Sequence, residues 1–298
     1  MSLNVIYKAF SGVTVLAIGL VACFAVSCNK QAGDGAVKLE EIREIAFTAE
    51  VASSSTKAVP VVSLSDFYVS ATQGSAGSET SAWNDVAFAL DHGFFVGNRF
   101  WPEDMDPVYH FYASNAHISF EATGSTIDVD NSRDIVCAYL PSSTYMSTNA
   151  LSFEHVFARI GDVTVSAAEG YALSSVSMSI VPKTGGTYNL RTGFGRTDGT
   201  GWSDMVNGSS TVICNDVPGT KSNDIYLVPG DYTVHCEWTA SEDDYTKFFS
   251  KDVVMSFVGG KVNGITVTLG GQVSQLVFGV ELNEWTETSV DAGTFPII

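Results

Sequence analysis

The residues most able to do chemistry in this 298-residue chain are its carboxylates, histidines and cysteines, so their spacing is read first. Asp128, Asp130 and Asp134 place three acids within seven positions. A calcium loop of the EF-hand type would need a central glycine and a terminal glutamate at fixed offsets, and neither follows, so a solvated turn accounts for them. Glu242-Asp243-Asp244 reads as the water-exposed tip of a hairpin. His155 alternates with apolar neighbours in Leu151-Ser152-Phe153-Glu154-His155-Val156-Phe157, the setting of a packed, hydrogen-bonded histidine and not of a general base. There is no GxSxG nucleophile elbow and no HExxH zinc motif. The glycine pairs Gly185-Gly186 and Gly259-Gly260 lack a phosphate-loop pattern and read as turns, and Asn207-Gly208-Ser209, a glycosylation sequon by letter, reads likewise. Scattered carboxylates carry no specificity for glycoside hydrolysis in a chain with 33 acids. The expectation is a protein that is not an enzyme and needs no metal or other cofactor.

The cysteines divide into two groups. Cys137, Cys214 and Cys236 sit in apolar, strand-like runs and read as buried thiols; a Cys214–Cys236 bridge is left open by spacing alone. Cys23 and Cys28 lie at the end of an N-terminal segment in which Lys8 is followed by an uncharged run from Ala9 to Ser27. That run reads as a signal peptide over residues 1–28 rather than an uncleaved anchor helix. Ala25-Val26-Ser27-Cys28 resembles a bacterial lipobox with Ala in place of the usual Leu, and Leu20-Val21-Ala22-Cys23 is the alternative. Lipidation is expected at Cys28, where several acyl chains would anchor the protein durably without a spanning helix.

The elements that hold these residues are strands. Hydrophobic residues make up 45% of the chain and charged ones 16%, which excludes a disordered acidic tail and a coiled coil. Acids exceed bases 33 to 15, for a net charge of −18, so phosphate backbones are repelled and nucleic acid is not a partner. Residues 29–44 read as a flexible tether with one helical turn over residues 39–43. Period-two alternation follows: Ile45, Phe47, Ala49 and Val51 share one parity, with Thr48 and Glu50 on the other. Further strands are expected over residues 61–71, 85–90, 94–101, 108–113, 125–129, 135–139, 151–158 and 162–167. After a boundary at Glu169-Gly170, they continue over 173–181, 211–214, 224–228, 232–239, 247–257, 262–269 and 275–282. The spacing, with Gly, Pro, Asn and Asp between, predicts an all-β chain of two β-sandwich domains, residues 45–168 and 169–298.

Ile45-Ala46-Phe47-Thr48-Ala49-Glu50-Val51 with Ser55-Thr56-Lys57-Ala58, the first of several blocks in order, resembles the leading strand and Thr-Arg-Ala segment of the fimbrillin (Mfa-like) family of type V pilin lipoproteins from Bacteroidales-type bacteria. Phe100-Trp101-Pro102 with His110-Phe111-Tyr112-Ala113 is similar to its Trp-Pro and Phe-x-Ala-Tyr elements. Asp134-Ile135-Val136-Cys137-Ala138, the Phe153-Glu154-His155-Val156-Phe157-Ala158-Arg159 run and the closing Asn283-Glu284-Trp285-Thr286-Glu287 complete the set. Lys57 stands where an arginine is typical, and Asn115 where a proline is expected.

The resemblance implies two tandem transthyretin-like Greek-key sandwiches, export to the outer membrane and cell surface, and assembly into a fimbrium with other copies or related subunits for adhesion to a host or bacterial surface. It also implies that a trypsin-like protease cuts Lys57-Ala58, that the strand carrying Ile45, Phe47, Ala49 and Val51 is lost, and that a C-terminal strand of the next subunit fills the groove. Arg43 is a second basic site, but a cut there leaves the strand in place. Leu276, Phe278, Val280 and Leu282 alternate as a donor should, and four such side chains give a gross gain of about 6–12 kcal/mol on burial. The same residues also read as the last strand of the second domain, in which case the donor is the tail 290–298 with Phe295, Ile297 and Ile298. Two other roles stay open: a pilus anchor that keeps its first strand or a tip protein that lacks a donor, and a non-polymerising surface lipoprotein that binds glycans through Trp101, Trp202 or Trp238.

Overall fold

Alternating β-branched and aromatic residues, broken every few positions by glycine, asparagine and aspartate, produce strands joined by short turns. The computed structural model describes residues 44–51, 59–60, 64–75, 77–104, 106–145, 147–215, 220–221, 225–270 and 277–284, and these are nearly all β. The one α-helix among them is a single turn, α1 (Leu190–Gly193), capped by the Asn189 side chain. The expected turn over residues 39–43, the signal segment and the tether up to Arg43 lie outside the described residues, and Glu44, read from the sequence as the end of the tether, is instead the first residue of a strand.

The first seven long strands are β1 (Glu44–Val51), β2 (Asp66–Gln73), β3 (Thr80–Asp91), β4 (Phe94–Phe100), β5 (Tyr109–Ser114), β6 (Val136–Ser143) and β7 (Ala150–His155). They run in the order β7-β6-β5-β2-β3-β4-β1, and β1 returns to pair with β7, so the sheet closes on itself. Inside lies a core of Ile45, Phe47, Phe67, Val69, Phe88, Phe95, Trp101, Phe111, Leu151 and Phe153, among others. Closure removes the free edges that an open sheet of this size would expose.

The later strands make an open two-sheet packing. β8 (Ala158–Ala167) pairs in parallel with β13 (Lys261–Leu269), which pairs antiparallel with β14 (Val277–Glu284). Facing them is the sheet β10-β9-β11-β12, made of Thr211–Asn215, Ala172–Ile180, Gly230–Glu242 and Tyr245–Phe257. Trp238 is fully buried between the sheets, stacked on Phe249 at 5.2 Å, and its indole N–H donates to the Gly270 carbonyl at 3.0 Å. β11 and β12 form a hairpin thirteen residues long on each side, with Asp243-Asp244 as its two-residue turn. Asp243 takes φ 47°, a left-handed conformation that aspartate tolerates better than most side chains.

The strand expected over residues 151–158 is interrupted. β7 ends at His155, Val156 and Phe157 turn into a third cluster, and β8 begins at Ala158. The side chains of Ala158, Ile160, Val163 and Val165 then pack with those of the later strands. The third cluster joins Tyr112, Ile127, Ile135 and Cys137 to Tyr188, Leu190 and Val228. A small sheet of Ile118–Ser119, Thr126–Asp128, Thr187–Asn189 and Trp202–Ser203 covers it.

One buried ion pair ties these parts together. The Glu79 side chain, without solvent exposure, meets the Arg191 guanidinium of α1, itself 14% exposed. Glu79 also accepts hydrogen bonds from the Thr72 hydroxyl at 2.8 Å and the Tyr112 hydroxyl at 2.9 Å, and Arg191 donates to the Tyr139 hydroxyl at 3.0 Å. Burial, then the bond to Glu79, push the Tyr112 phenol well above its ordinary pKa. The pair spans from the first closed sheet to the segment after β9, so it resists relative sliding of the elements on either side.

Candidate functional site

Strand β1 is the feature of this molecule with most potential to act. Its alternation drives Ile45 and Phe47 wholly into the first core. The Phe47 ring meets Phe111 at 5.0 Å, Phe88 at 5.1 Å and Phe67 at 6.5 Å, each edge-on. Ala49 and Val51 are half-buried against the same cluster, while Thr48 and Glu50 face solvent.

The backbone of β1 changes partner along its length. Glu44, Ala46 and Phe47 pair antiparallel with Phe100, Val96 and Phe95 of β4, with a register shift between Glu44 and Ala46. From Thr48 to Val51 the strand pairs in parallel with Ala150 to Phe153 of β7. Glu50 and Val51 also pair antiparallel with Pro60 and Val59. One eight-residue strand therefore joins β4 to β7, and without it the ring of strands would open between them. A strand that changes sheets needs its bend held, and Asn149 holds it. Its backbone carbonyl accepts the Thr48 N–H at 3.0 Å, its side-chain N–H donates to the Ala46 carbonyl at 3.2 Å, and its side-chain oxygen accepts the Ser143 hydroxyl. Asn149 is absent from the sequence expectations because Thr148-Asn149-Ala150 reads only as a turn before a strand.

The residues expected to be processed fall elsewhere. Lys57 and Ala58, between β1 and Val59–Pro60, lie outside the described residues, as do Cys23, Cys28 and Arg43. Of the donor candidates, Leu276 lies outside them. The backbone of Phe278 pairs with Val267, Val280 is half-buried against the second core, and Leu282 is 51% exposed. Residues 277–282 thus lie in the outer strand of the chain's own second packing, and the tail with Phe295, Ile297 and Ile298 is outside the described residues.

The chemical candidates are held in structural roles. Asp130 accepts the Ser132 N–H at 2.9 Å, and the hydrogen bonds from Ser132, with Arg133 nearby, keep its carboxyl below the usual range. His155 is buried with its Nδ1 2.8 Å from an Asp134 carboxylate oxygen. Among the described residues no group of three or more His, Cys, Asp or Glu side chains is placed to hold a metal ion. Burial pushes the Cys137 thiol far up and the Cys236 thiol up to about 12, so neither forms the thiolate a nucleophile needs. Cys214 and Cys236 both face Met178, from opposite neighbouring strands. Two strand spacings put their Cα atoms about 9–10 Å apart, beyond disulfide reach. Trp101 and Trp238 are buried, and Trp202 is half-buried against Tyr188 at 4.7 Å and Phe157 at 5.4 Å. The alternative role of these tryptophans as exposed glycan-binding rings loses its support, since each packs against a core of its own.

No protein-family model matches the chain, and comparison with curated proteins gives no significant match. Solved structures do match in fold. A fimbrial protein from Bacteroides vulgatus aligns over 81% of this chain and 99% of its own, with a TM-score of 0.53 at 13% identity. Two candidate cell adhesion proteins, from Bacteroides ovatus and Bacteroides uniformis, each align over 82% of this chain and 98% of their own. Their TM-scores are 0.51 and 0.50, at 17% and 18% identity. What the chain shares with these neighbours, over nearly their whole length, is the fold of proteins named as fimbrial or cell adhesion proteins.

Proposed function

We propose that this chain is a structural subunit of surface fimbriae that serves adhesion, exported as a precursor lipidated at Cys28 and carried on the outer membrane. Cleavage at Lys57-Ala58 severs β1 from Val59–Pro60, after which only non-covalent contacts retain it. A strand from another subunit then replaces it between β4 and β7. The observation that carries this reading is β1 itself: a short strand with two wholly buried side chains that joins the two ends of an otherwise complete sheet. An extended segment of another chain can satisfy both the exposed ladder and the vacated pockets. Burial of Ile45 and Phe47 contributes about 1.5–3 kcal/mol each, enough to hold the precursor shut and within reach of a matched donor.

The sequence of the candidate donor supports the register. Residues 45–51 read Ile-Ala-Phe-Thr-Ala-Glu-Val and residues 276–282 read Leu-Val-Phe-Gly-Val-Glu-Leu. Aligned without a gap, the pattern assigns Leu276 to the Ile45 pocket, Phe278 to the Phe47 pocket, Val280 to Ala49 and Leu282 to Val51. Donation requires β14 to leave β13, which its place at the sheet edge makes feasible. In this reading the closed first sheet supplies the slot and the later two-sheet packing supplies the donor.

The test is limited trypsin digestion of the lipid-free precursor. A new N-terminus at Ala58 together with ladders on unboiled gels supports the proposal. A trimmed product that stays monomeric and keeps β1 bound refutes it.

A further inference from the structure

Two Asn-Gly dipeptides occur in the chain, Asn207-Gly208 and Asn263-Gly264, and the fold treats them in opposite ways. The pair matters chemically because glycine has no side chain to shield its backbone nitrogen or restrict its backbone. That nitrogen can therefore approach the side-chain carbonyl carbon of the asparagine before it. Asn263, in β13, is without solvent exposure. Its side-chain oxygen accepts the Val258 N–H at 2.9 Å. Its side-chain N–H groups donate to the carbonyls of Lys261 at 3.0 Å, Val258 at 3.2 Å and Arg159 at 3.3 Å. Gly264 is held in the ladder opposite Glu281, so ring closure there requires the core to open.

Asn207 has none of this protection. The ladder between β9 and β11 ends at Ile180 opposite Val234. Past Pro182 the chain makes only the two-residue pairing of Lys183–Thr184 with Val206–Asn207. Asn207 is exposed and Val206 is 61% exposed, so little apolar burial holds that pairing shut. Among the described residues the Asn207 side-chain amide has no hydrogen-bond partner. The Gly208 N–H donates to the Pro182 carbonyl at 2.8 Å, a bond that opens with the pairing. Packing demands glycine at this position, since a Cβ would lie 2.9 Å from Thr184 Cγ2. Directly across from Asn207 stands Lys183, which forms no salt bridge among the described residues and holds its ammonium 5.6 Å over the Tyr232 ring.

We propose that Asn207 is a site of spontaneous deamidation, which places a carboxylate opposite Lys183. When the pairing opens, the Gly208 nitrogen gives its proton to hydroxide and bonds to the Asn207 side-chain carbonyl carbon. The bond from that carbon to the side-chain nitrogen breaks, and the nitrogen leaves as ammonia with a proton from water. Water then opens the cyclic imide at either carbonyl, giving aspartate or its isomer with a lengthened backbone. Net, one water is consumed and one ammonia released, with no change of oxidation state. The aspartyl product supplies Lys183 with a cross-strand partner of opposite charge. The isoaspartyl product cannot keep the register with Lys183, because its backbone is longer by one carbon.

The test is peptide mapping of the intact folded chain, aged at neutral and at mildly alkaline pH, with fragmentation that separates aspartyl from isoaspartyl products. Asn207 should convert at least about tenfold faster than Asn263 in the same sample, because opening a two-residue pairing costs far less than opening the core. Its rate should rise with pH, since the attacking nitrogen must lose a proton. In urea the two sites should convert at comparable rates, which assigns the difference to the fold. Amide hydrogen exchange at Gly208 reads the opening directly and should be fast beside that of β11. The inference is overturned if Asn207 remains an amide in the folded chain over a period in which urea converts it. It is equally overturned if Asn263 keeps pace in the folded chain, or if Gly208 exchanges as slowly as β11. None of these readouts involves cleavage, lipid or polymerisation, so the result stands apart from the fimbrial reading.

Discussion

Strands β1 and β14 carry nearly the same alternating pattern, and the fold treats them in opposite ways. In β1, Ile45 and Phe47 lose all contact with solvent and the backbone has partners on both sides. In β14, Leu282 is half exposed and, among the described residues, the backbone pairs with β13 alone. The pattern selects which side chains turn inward. Whether a strand closes a sheet or borders one depends on what the rest of the chain leaves beside it. The first core needs its first strand to close, whereas the second would lose only an edge.

The largest expected effect comes from Phe47→Ala, which should cost about 3–5 kcal/mol of precursor stability in urea denaturation. Leu282→Ala should stay within about 0.5 kcal/mol. Equal costs at the two sites would erase the contrast between an enclosed and a bordering strand. If trimming removes β1, assembled material carrying Phe47→Ala should melt like the parent.

Next is Arg191→Met, which leaves Glu79 as a buried charge without its counterion and should cost about 3 kcal/mol. Adding Glu79→Gln should return much of that loss, and calorimetry of the single variant should broaden or split the unfolding transition. A single sharp transition in every variant would mean that the third cluster alone couples the cores. Within the second core, Trp238→Phe keeps most of the apolar volume but drops the indole bond to Gly270, for a loss of about 1–2 kcal/mol. That places it below Phe47→Ala, as expected if the second packing distributes its stability over long hairpins.

The smallest effect concerns His235 on the exposed face of β11. Asp252, then Glu237, raise its pKa above the ordinary value. The folded state therefore holds the proton more tightly than the unfolded chain does. The resulting stabilisation is complete below about pH 6.5 and fades as pH rises through the raised value. Asp252→Asn should move the NMR titration midpoint of His235 downward; an unchanged midpoint would show that Asp252 does not hold the ring.

Much of this architecture was legible residue by residue. Alternation marks Ile45 and Phe47 as inward-facing and Cys236 as a core thiol, because a strand's period of two sends neighbouring side chains to opposite faces whatever the fold. The acidic run Glu242-Asp243-Asp244 marks a hairpin tip, of which the structure keeps Glu242 in the strand. The break at Val156-Phe157 was not legible, since a continuous apolar run gives no local sign that its middle feeds a different core. Nor were the clasp of Asn149 around β1 or the meeting of Glu79 with Arg191 across 112 positions of sequence. The sequence by itself determined an acidic, all-β chain and the faces of its strands, through short-range sterics and hydrophobic patterning. Only the tertiary structure decided which strand closes a sheet, which polar groups meet and where a ladder stops short, because those depend on contacts between segments distant in the chain, which no local pattern encodes.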